Sequence, residues 1–232
     1  MLVQLEIVHI AVIAAVVLVI LSVLIGFVFK RKSSKTTILI LGTADAGKTQ
    51  LYTRLRFGKK TATVTSMKEN EGPLTLENKT FDLVDMPGHE RVRFRYVDYL
   101  PVTRSIVFVV DSTTVARQIR VVGEYLYNVL AQQQVQKDRI PILIACNKTD
   151  LITALPQDKI QQRLEIEINR LRSTRTAAVE QQEASLDDEQ EAYLGYEGEE
   201  FKFDHLDNDV QFETCSVEKD ELDKVVDWIV HN

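Results

Sequence analysis

The sequence predicts an α/β fold: a mostly parallel sheet of six strands with one antiparallel edge strand, preceded by one transmembrane helix. Apolar runs of strand length alternate with helix-length stretches, the pattern of a parallel sheet with crossover helices. Those runs are almost continuous in Ile, Leu and Val, as in strands covered on both faces. Ahead of them, residues 7 to 29 carry no charged side chain.

That first segment has 23 residues, with only His9 and Ser22 as polar side chains. At a rise of about 1.5 Å per residue it reaches roughly 34 Å, enough to cross a hydrocarbon layer of roughly 30 Å with some tilt. It is longer than the apolar core of about 7 to 15 residues in a cleaved signal peptide. No basic segment precedes it, and Lys30, Arg31, Lys32 and Lys35 follow it. Such bases stay on the cytosolic side. The expected layout is therefore a short lumenal N-terminus at 1–6, a transmembrane helix at 7–29, a basic juxtamembrane linker at 30–35 and a cytosolic domain at 36–232.

In the cytosolic part, strands fit Thr37–Leu41, Lys79–Val84, Ser105–Val110, Ile140–Cys146 and Val210–Thr214. A shorter Leu74–Leu76 run, joined to Lys79–Val84 through Glu77-Asn78-Lys79, predicts the antiparallel edge hairpin. Helices fit about 47–57, 89–99, 115–134, 156–173 and 219–231. An insertion at about 174–205 contains the stretch 180–200, whose nine acids and absence of Lys and Arg predict a solvated loop. Of 28 Lys and Arg and 34 Asp and Glu, residues 1–35 hold four bases and one acid. That leaves 24 bases against 33 acids, a net −9, on residues 36–232. This balance argues against nucleic-acid binding. Cys146 and Cys215 are too few for a disulfide scaffold and read as small core residues. His205 and His231 have no companions at metal-binding spacing.

Open α/β sheets bind ligands beyond the carboxyl ends of their strands, so the chemistry is sought there. After the first strand, Gly42-Thr43-Ala44-Asp45-Ala46-Gly47-Lys48-Thr49 opens a predicted helix and matches the phosphate-binding loop pattern. Its glycines let backbone N–H groups turn around phosphate oxygens, Lys48 adds a positive charge, and the Thr49 hydroxyl suits Mg²⁺. Asp85-Met86-Pro87-Gly88-His89-Glu90 follows the strand Lys79–Val84. There Asp85 can hold Mg²⁺ through water and the Gly88 N–H can meet a γ-phosphate. Asn147-Lys148-Thr149-Asp150 follows Ile140–Cys146. The Asp150 carboxylate can accept from both the N1–H and the N2 amino group of guanine, a donor pair that adenine lacks. The Lys148 stem can cover the base, and Asn147 can brace the loops.

Together these motifs resemble the small GTPases of the Ras and Arf kind over nearly all of residues 36–232. The resemblance implies the P-loop NTPase small-GTPase fold, with GTP or GDP and Mg²⁺ as ligands. It also implies that Thr214-Cys215-Ser216-Val217 forms a second guanine-contacting loop, with Ser216 and the Val217 N–H near the base, although Ser-Ala-Lys is usual there. Within Thr63-Val64-Thr65-Ser66, either Thr65 or Ser66 would be the switch ligand of Mg²⁺. Where Ras relatives carry a Gln after the switch glycine, this chain has His89. His89 either orients the attacking water, as the corresponding His does in translational GTPases, or packs outward, leaving hydrolysis slow or partner-dependent.

The chain has Leu2 and the ending Trp228-Ile229-Val230-His231-Asn232, so neither the myristoylation motif of Arf relatives nor the prenylation motif of Ras relatives is present. A small GTPase behind a transmembrane segment, with Asp-X-Pro-Gly-His-Glu and an insertion before the last strand, is similar to the family of signal recognition particle receptor beta subunits. Ile106–Ser112 and Ala145–Lys148 strengthen that likeness. It implies the endoplasmic reticulum membrane and an alpha-subunit partner bound through the switch face in the GTP state. Signal recognition particle, ribosome and translocon would be met indirectly, and no direct nucleic-acid contact is expected. The alternative is an Arf-like self-cycling GTPase of vesicle traffic. A permanent anchor speaks against it, because hydrolysis cannot release such a chain from the bilayer.

Overall fold

A computed structural model describes residues 35–59, 66–181 and 193–232. The expected anchor at 7–29, the linker up to residue 34 and Thr65 lie outside them. Among the described residues no helix is long and apolar enough to cross a membrane.

Strand β1 (Thr37–Leu41) is buried along its whole length. Its four aliphatic residues send alternate side chains into two different apolar clusters: Leu39 and Leu41 into one, Ile38 and Ile40 into the other. β1 therefore sits mid-sheet, pairing in parallel with β3 (Lys79–Asp85) and β4 (Thr103–Asp111). Outside β4, β5 (Ile142–Asn147) and β6 (Val210–Thr214) continue the parallel run, and β2 (Asn70–Leu76) closes the other edge antiparallel to β3. The resulting six-stranded order is β2-β3-β1-β4-β5-β6. One sheet face is covered by α2 (Val115–Leu130), the short α3 (Gln133–Lys137) and α4 (Gln157–Gln181); the other by α1 (Lys48–Phe57) and α5 (Asp223–His231). Cys146 belongs to the first cluster and Cys215 to the second. Both thiols are free, and burial pushes each up to about 12, so they serve as core atoms.

The edge hairpin forms as expected: Leu76 faces Lys79, and Glu77 and Asn78 take φ of 44° and 65°. Two left-handed central residues make the turn whose twist matches that of the strands.

Four expectations are corrected. The helix expected at 89–99 is a 3-10 helix at Arg93–Val102, with Pro101 inside it. Proline has no N–H and clashes with the carbonyl four residues back, which disfavours an α-turn there. Within that helix Tyr96 and Leu100 enter the core while Phe94 is 64% exposed. The helix expected at 115–134 breaks at Gln132, whose extended backbone (ψ 126°) redirects the chain so that Val135 is buried. The last helix starts at Asp223 rather than 219, because Asp220 is left-handed and Ser216 pairs with Glu221. The insertion, finally, is not wholly a solvated loop. Helix α4 runs on to Gln181, and Leu194, Phe201 and Phe203 are buried. Arg172, itself buried, donates to the carbonyls of Leu194 (3.0 Å), Tyr196 (3.1 Å) and Glu199. Asn169 Oδ1 accepts from the Phe201 N–H at 3.2 Å. Residues 182–192 of that stretch lie outside the described ones.

Candidate functional site

The loops after β1, β3 and β5 meet in one cleft of about 290 Å³, lined by Ala44, Asp45, Gly47, Lys48, Thr49, Gln50, Ser66, Met86, Pro87, Gly88 and Lys148. Parallel pairing brings them together, since it sets the carboxyl ends of these strands side by side. Two glycines permit the close approach. Gly47 has φ 99°, and a Cβ there would lie 2.4 Å from Asn147 Nδ2. A Cβ on Gly88 would lie 2.6 Å from the Ala44 nitrogen and 2.6 Å from Lys48 Nζ.

The charged centre of the cleft is Lys48 with Asp85. Lys48 Nζ donates to the Thr43 carbonyl at 2.7 Å. Burial lowers its pKa to about 8, opposed by the charges of Asp85 and Asp45. Asp85 Oδ2 accepts from Thr49 Oγ1 at 2.8 Å and from Asn70 Nδ2 at 2.9 Å. Ser66 Oγ lies 3.2 Å from Thr49 Oγ1. Burial raises the Asp85 carboxyl above the ordinary carboxylate range, against the hydrogen bonds from Thr49 and Asn70 and the Lys48 charge. Asp85 Oδ1 is buried with no hydrogen-bond partner. A partnerless carboxylate oxygen beside two hydroxyls is the donor set of a hard divalent cation such as Mg²⁺. Among the described residues no group of three or more His, Cys, Asp or Glu converges, so such an ion would complete its shell with hydroxyls, water and phosphate.

The base-recognition side is built around Asn147. This buried side chain donates from Nδ2 to the Ala46 carbonyl (2.9 Å) and accepts at Oδ1 from the Val217 N–H (3.1 Å). It thereby ties the phosphate loop, β5 and the loop after β6 together. Lys148 is left-handed, with φ 65°. Its Nζ donates to the Asp45 carbonyl at 2.8 Å and to Asp111 Oδ2 at 2.7 Å. Burial of Asp111 acts to raise its pKa, but the hydrogen bonds from Lys148 and Thr113 and the Lys148 charge outweigh it and hold the carboxylate low. Asp150 Oδ1 accepts from Ser216 Oγ at 2.7 Å. The Thr149 N–H and hydroxyl both donate to the Cys215 carbonyl, at 3.3 and 2.9 Å, zipping the two loops together.

The phosphate loop, Gly88, Asp85, Asn147, Lys148, Asp150, Ser216 and Ser66 thus gather at one end of the sheet. Val217 joins them through its N–H, which donates to Asn147 Oδ1. His89 does not line the cleft: it is exposed, and its Nδ1 accepts from the Arg91 N–H at 3.3 Å. Two participants were not read from the sequence. Asp111 stands at the carboxyl end of β4, a position that could have marked it. Asn70, which braces Asp85, begins an edge strand and carries no motif.

The profile of the family described as signal recognition particle receptor beta subunit matches residues 33–210. The signal recognition particle receptor subunit beta of Rattus norvegicus is 39% identical over 210 residues, covering 88% of this chain and 77% of the relative. The structure of the mammalian SRP receptor is similar at a TM-score of 0.74 and 35% identity, covering 84% of this chain and 98% of that one. The receptor structure SRb-GDP-Mg from Chaetomium thermophilum is similar at a TM-score of 0.65 and 25% identity, covering 87% of this chain and 99% of that one.

Proposed function

This chain belongs to the family of signal recognition particle receptor beta subunits, and from that premise we propose that it is the receptor's GTP-binding, membrane-anchored subunit. In this role it tethers the alpha subunit to the endoplasmic reticulum membrane in a GTP-dependent way for co-translational protein targeting. Family membership favours this reading over that of an Arf-like trafficking switch. The observation that carries it is the single cleft in which the phosphate loop, Asp85 and Lys148 meet, with Asp150 held beside it by Ser216.

In that cleft, residues Gly42 to Thr49 wrap the phosphates, and Lys48 neutralises them. The Gly88 N–H meets the γ-phosphate. Thr49, Asp85 through water, and Thr65 or Ser66 hold Mg²⁺; the 3.2 Å approach of the Ser66 and Thr49 hydroxyls supports Ser66. When bound, Mg²⁺ offsets charge on the β- and γ-phosphates. Asp150 reads guanine, Lys148 covers the base, and Asn147 with Ser216 and Val217 holds the reading loops in register. The layout proposed for the whole chain keeps 1–6 in the lumen, 7–29 in the bilayer, 30–35 as the basic linker and 36–232 in the cytosol. Signal recognition particle, ribosome and translocon are reached through the alpha subunit.

The exposed His89, engaged with its own turn, supports slow intrinsic hydrolysis. A positioned general base supplies about 10²–10⁴-fold, so His89→Ala should leave single-turnover GTP hydrolysis by the isolated chain within a factor of about three. A fast reaction abolished by His89→Ala would make the residue catalytic. The tethering role is tested by retention from solubilised endoplasmic reticulum membranes on chain loaded with GDP or with a non-hydrolysable GTP analogue. The alpha subunit should be retained only in the triphosphate state. Vesicle-coat or tethering proteins in its place would return the chain to the trafficking class.

A further inference from the structure

The outer surface of the α2–α4 layer has no part in the nucleotide cleft. On α2, Arg120, Val121 and Glu124 are exposed, as is Arg117 just before the kink at Gln118 (φ −105°, ψ 15°); on α4, Lys159, Gln162, Arg163, Ile166 and Arg170 recur at helical spacing and are exposed. The two helices come close where Gly123 packs on Glu167: a Cβ on that glycine would lie 2.7 Å from Glu167 Cγ. Along the α4 stripe runs an open groove of about 550 Å³, lined by Lys159, Gln162, Arg163, Ile166 and Glu167 and closed on the α2 side by Ile119. Ile166 is 64% exposed and Val121 38%.

Charge sets this surface apart. The cytosolic part carries a net −9, yet this face presents five bases. Arg170 pairs with Glu167. Among the described residues, Arg117, Arg120, Lys159 and Arg163 meet no carboxylate within ion-pair distance. In a chain with acids in excess, a strip whose four unpaired bases outnumber its acids, Glu124 and the Arg170-paired Glu167, around exposed aliphatic side chains is complementary to an acidic, partly apolar ligand. Phosphate chemistry would use the bases but has no use for an isoleucine floor. The strip from Lys159 to Arg170 is about 17 Å long, or about three helical turns, and a groove between two helices accepts a third.

We propose that the α2–α4 groove docks an acidic amphipathic helix of a protein partner. The apolar side of that helix rests on Ile119 and Ile166, and its carboxylates face Arg117, Arg120, Lys159 and Arg163. Because none of these residues lines the nucleotide cleft, docking does not require a particular bound nucleotide.

The test uses the full chain in zwitterionic lipid nanodiscs and fluorescence anisotropy. The probe is a labelled peptide of about 16 residues with leucines at helical spacing on one side and glutamates on the other. Binding should weaken with added salt and fall about tenfold in a Lys159→Glu, Arg163→Glu double variant and about fivefold in Ile166→Asp. A scrambled peptide of the same composition should bind about tenfold more weakly. Unchanged GDP affinity in the variants reports an intact fold. Equal binding of the scrambled peptide, or undiminished binding by the variants, would overturn the proposal. So would tighter, variant-sensitive association with polyuridylate or with phosphatidylserine vesicles, or self-association of the chain lost in Ile166→Asp.

Discussion

Asp150→Asn should lower guanine-nucleotide affinity by about 100- to 1,000-fold and turn the preference toward xanthine nucleotides. Guanine presents two donors on one edge, N1–H and the N2 amino group, and a carboxylate answers both with acceptors. An Asn side chain has one acceptor, and its amino group would face a donor with a donor. Xanthine carries a carbonyl where guanine has the amino group, so the same Asn matches it. The Asp150 carboxylate is already oriented, with Oδ1 accepting from Ser216 Oγ at 2.7 Å. Ser216→Ala should therefore weaken guanine binding by about tenfold without changing which base is preferred. Competition between GDP and XDP on the two variants measures both effects. If Asp150→Asn kept its preference for guanine, Asp150 would have to be given up as the base reader.

Much of this arrangement was legible because strong local signals coincide with the topology. The Gly42 to Thr49 pattern names its own structural context, a strand before and a helix after, and both are present as β1 and α1. The alternation of side chains along β1 into two apolar clusters follows from its unbroken run of apolar residues. The hairpin turn at Glu77-Asn78 was visible as a polar break between two β-rich runs. What escaped depends on contacts distant in sequence. Counting acids from 180 to 200 suggested solvated chain, but three carbonyls of its returning limb converge on Arg172, more than twenty residues earlier. Asn70 and Asp111 become site residues only because pairing of β2 with β3, and of β4 with β5, carries them to Asp85 and Lys148. Neither has a motif of its own. Arg93 likewise has no motif to mark it, yet its guanidinium lies over the Tyr125 ring at 4.9 Å.

Asn147 gives the second large effect, because it joins loops that no single motif contains. Asn147→Ala removes the acceptor of the Val217 N–H and the donor to the Ala46 carbonyl. Each buried group left unpaired costs about 1–3 kcal/mol, so the domain should lose roughly 2–5 kcal/mol and melt about 5–15 °C lower. Binding should suffer too, since Gly47 packs so tightly on this side chain that the phosphate loop takes its position from it. Asn147→Asp separates the two halves. It keeps an acceptor for Val217 but turns a carboxylate oxygen toward the Ala46 carbonyl, so phosphate binding should suffer more than the loop after β6. Calorimetry of the melting transition with and without GDP distinguishes them. A melting temperature within about 2 °C of the parent for Asn147→Ala would mean that the phosphate loop and the base-reading loops hold their register without it, and that Lys148, through Asp45 and Asp111, carries the coupling instead.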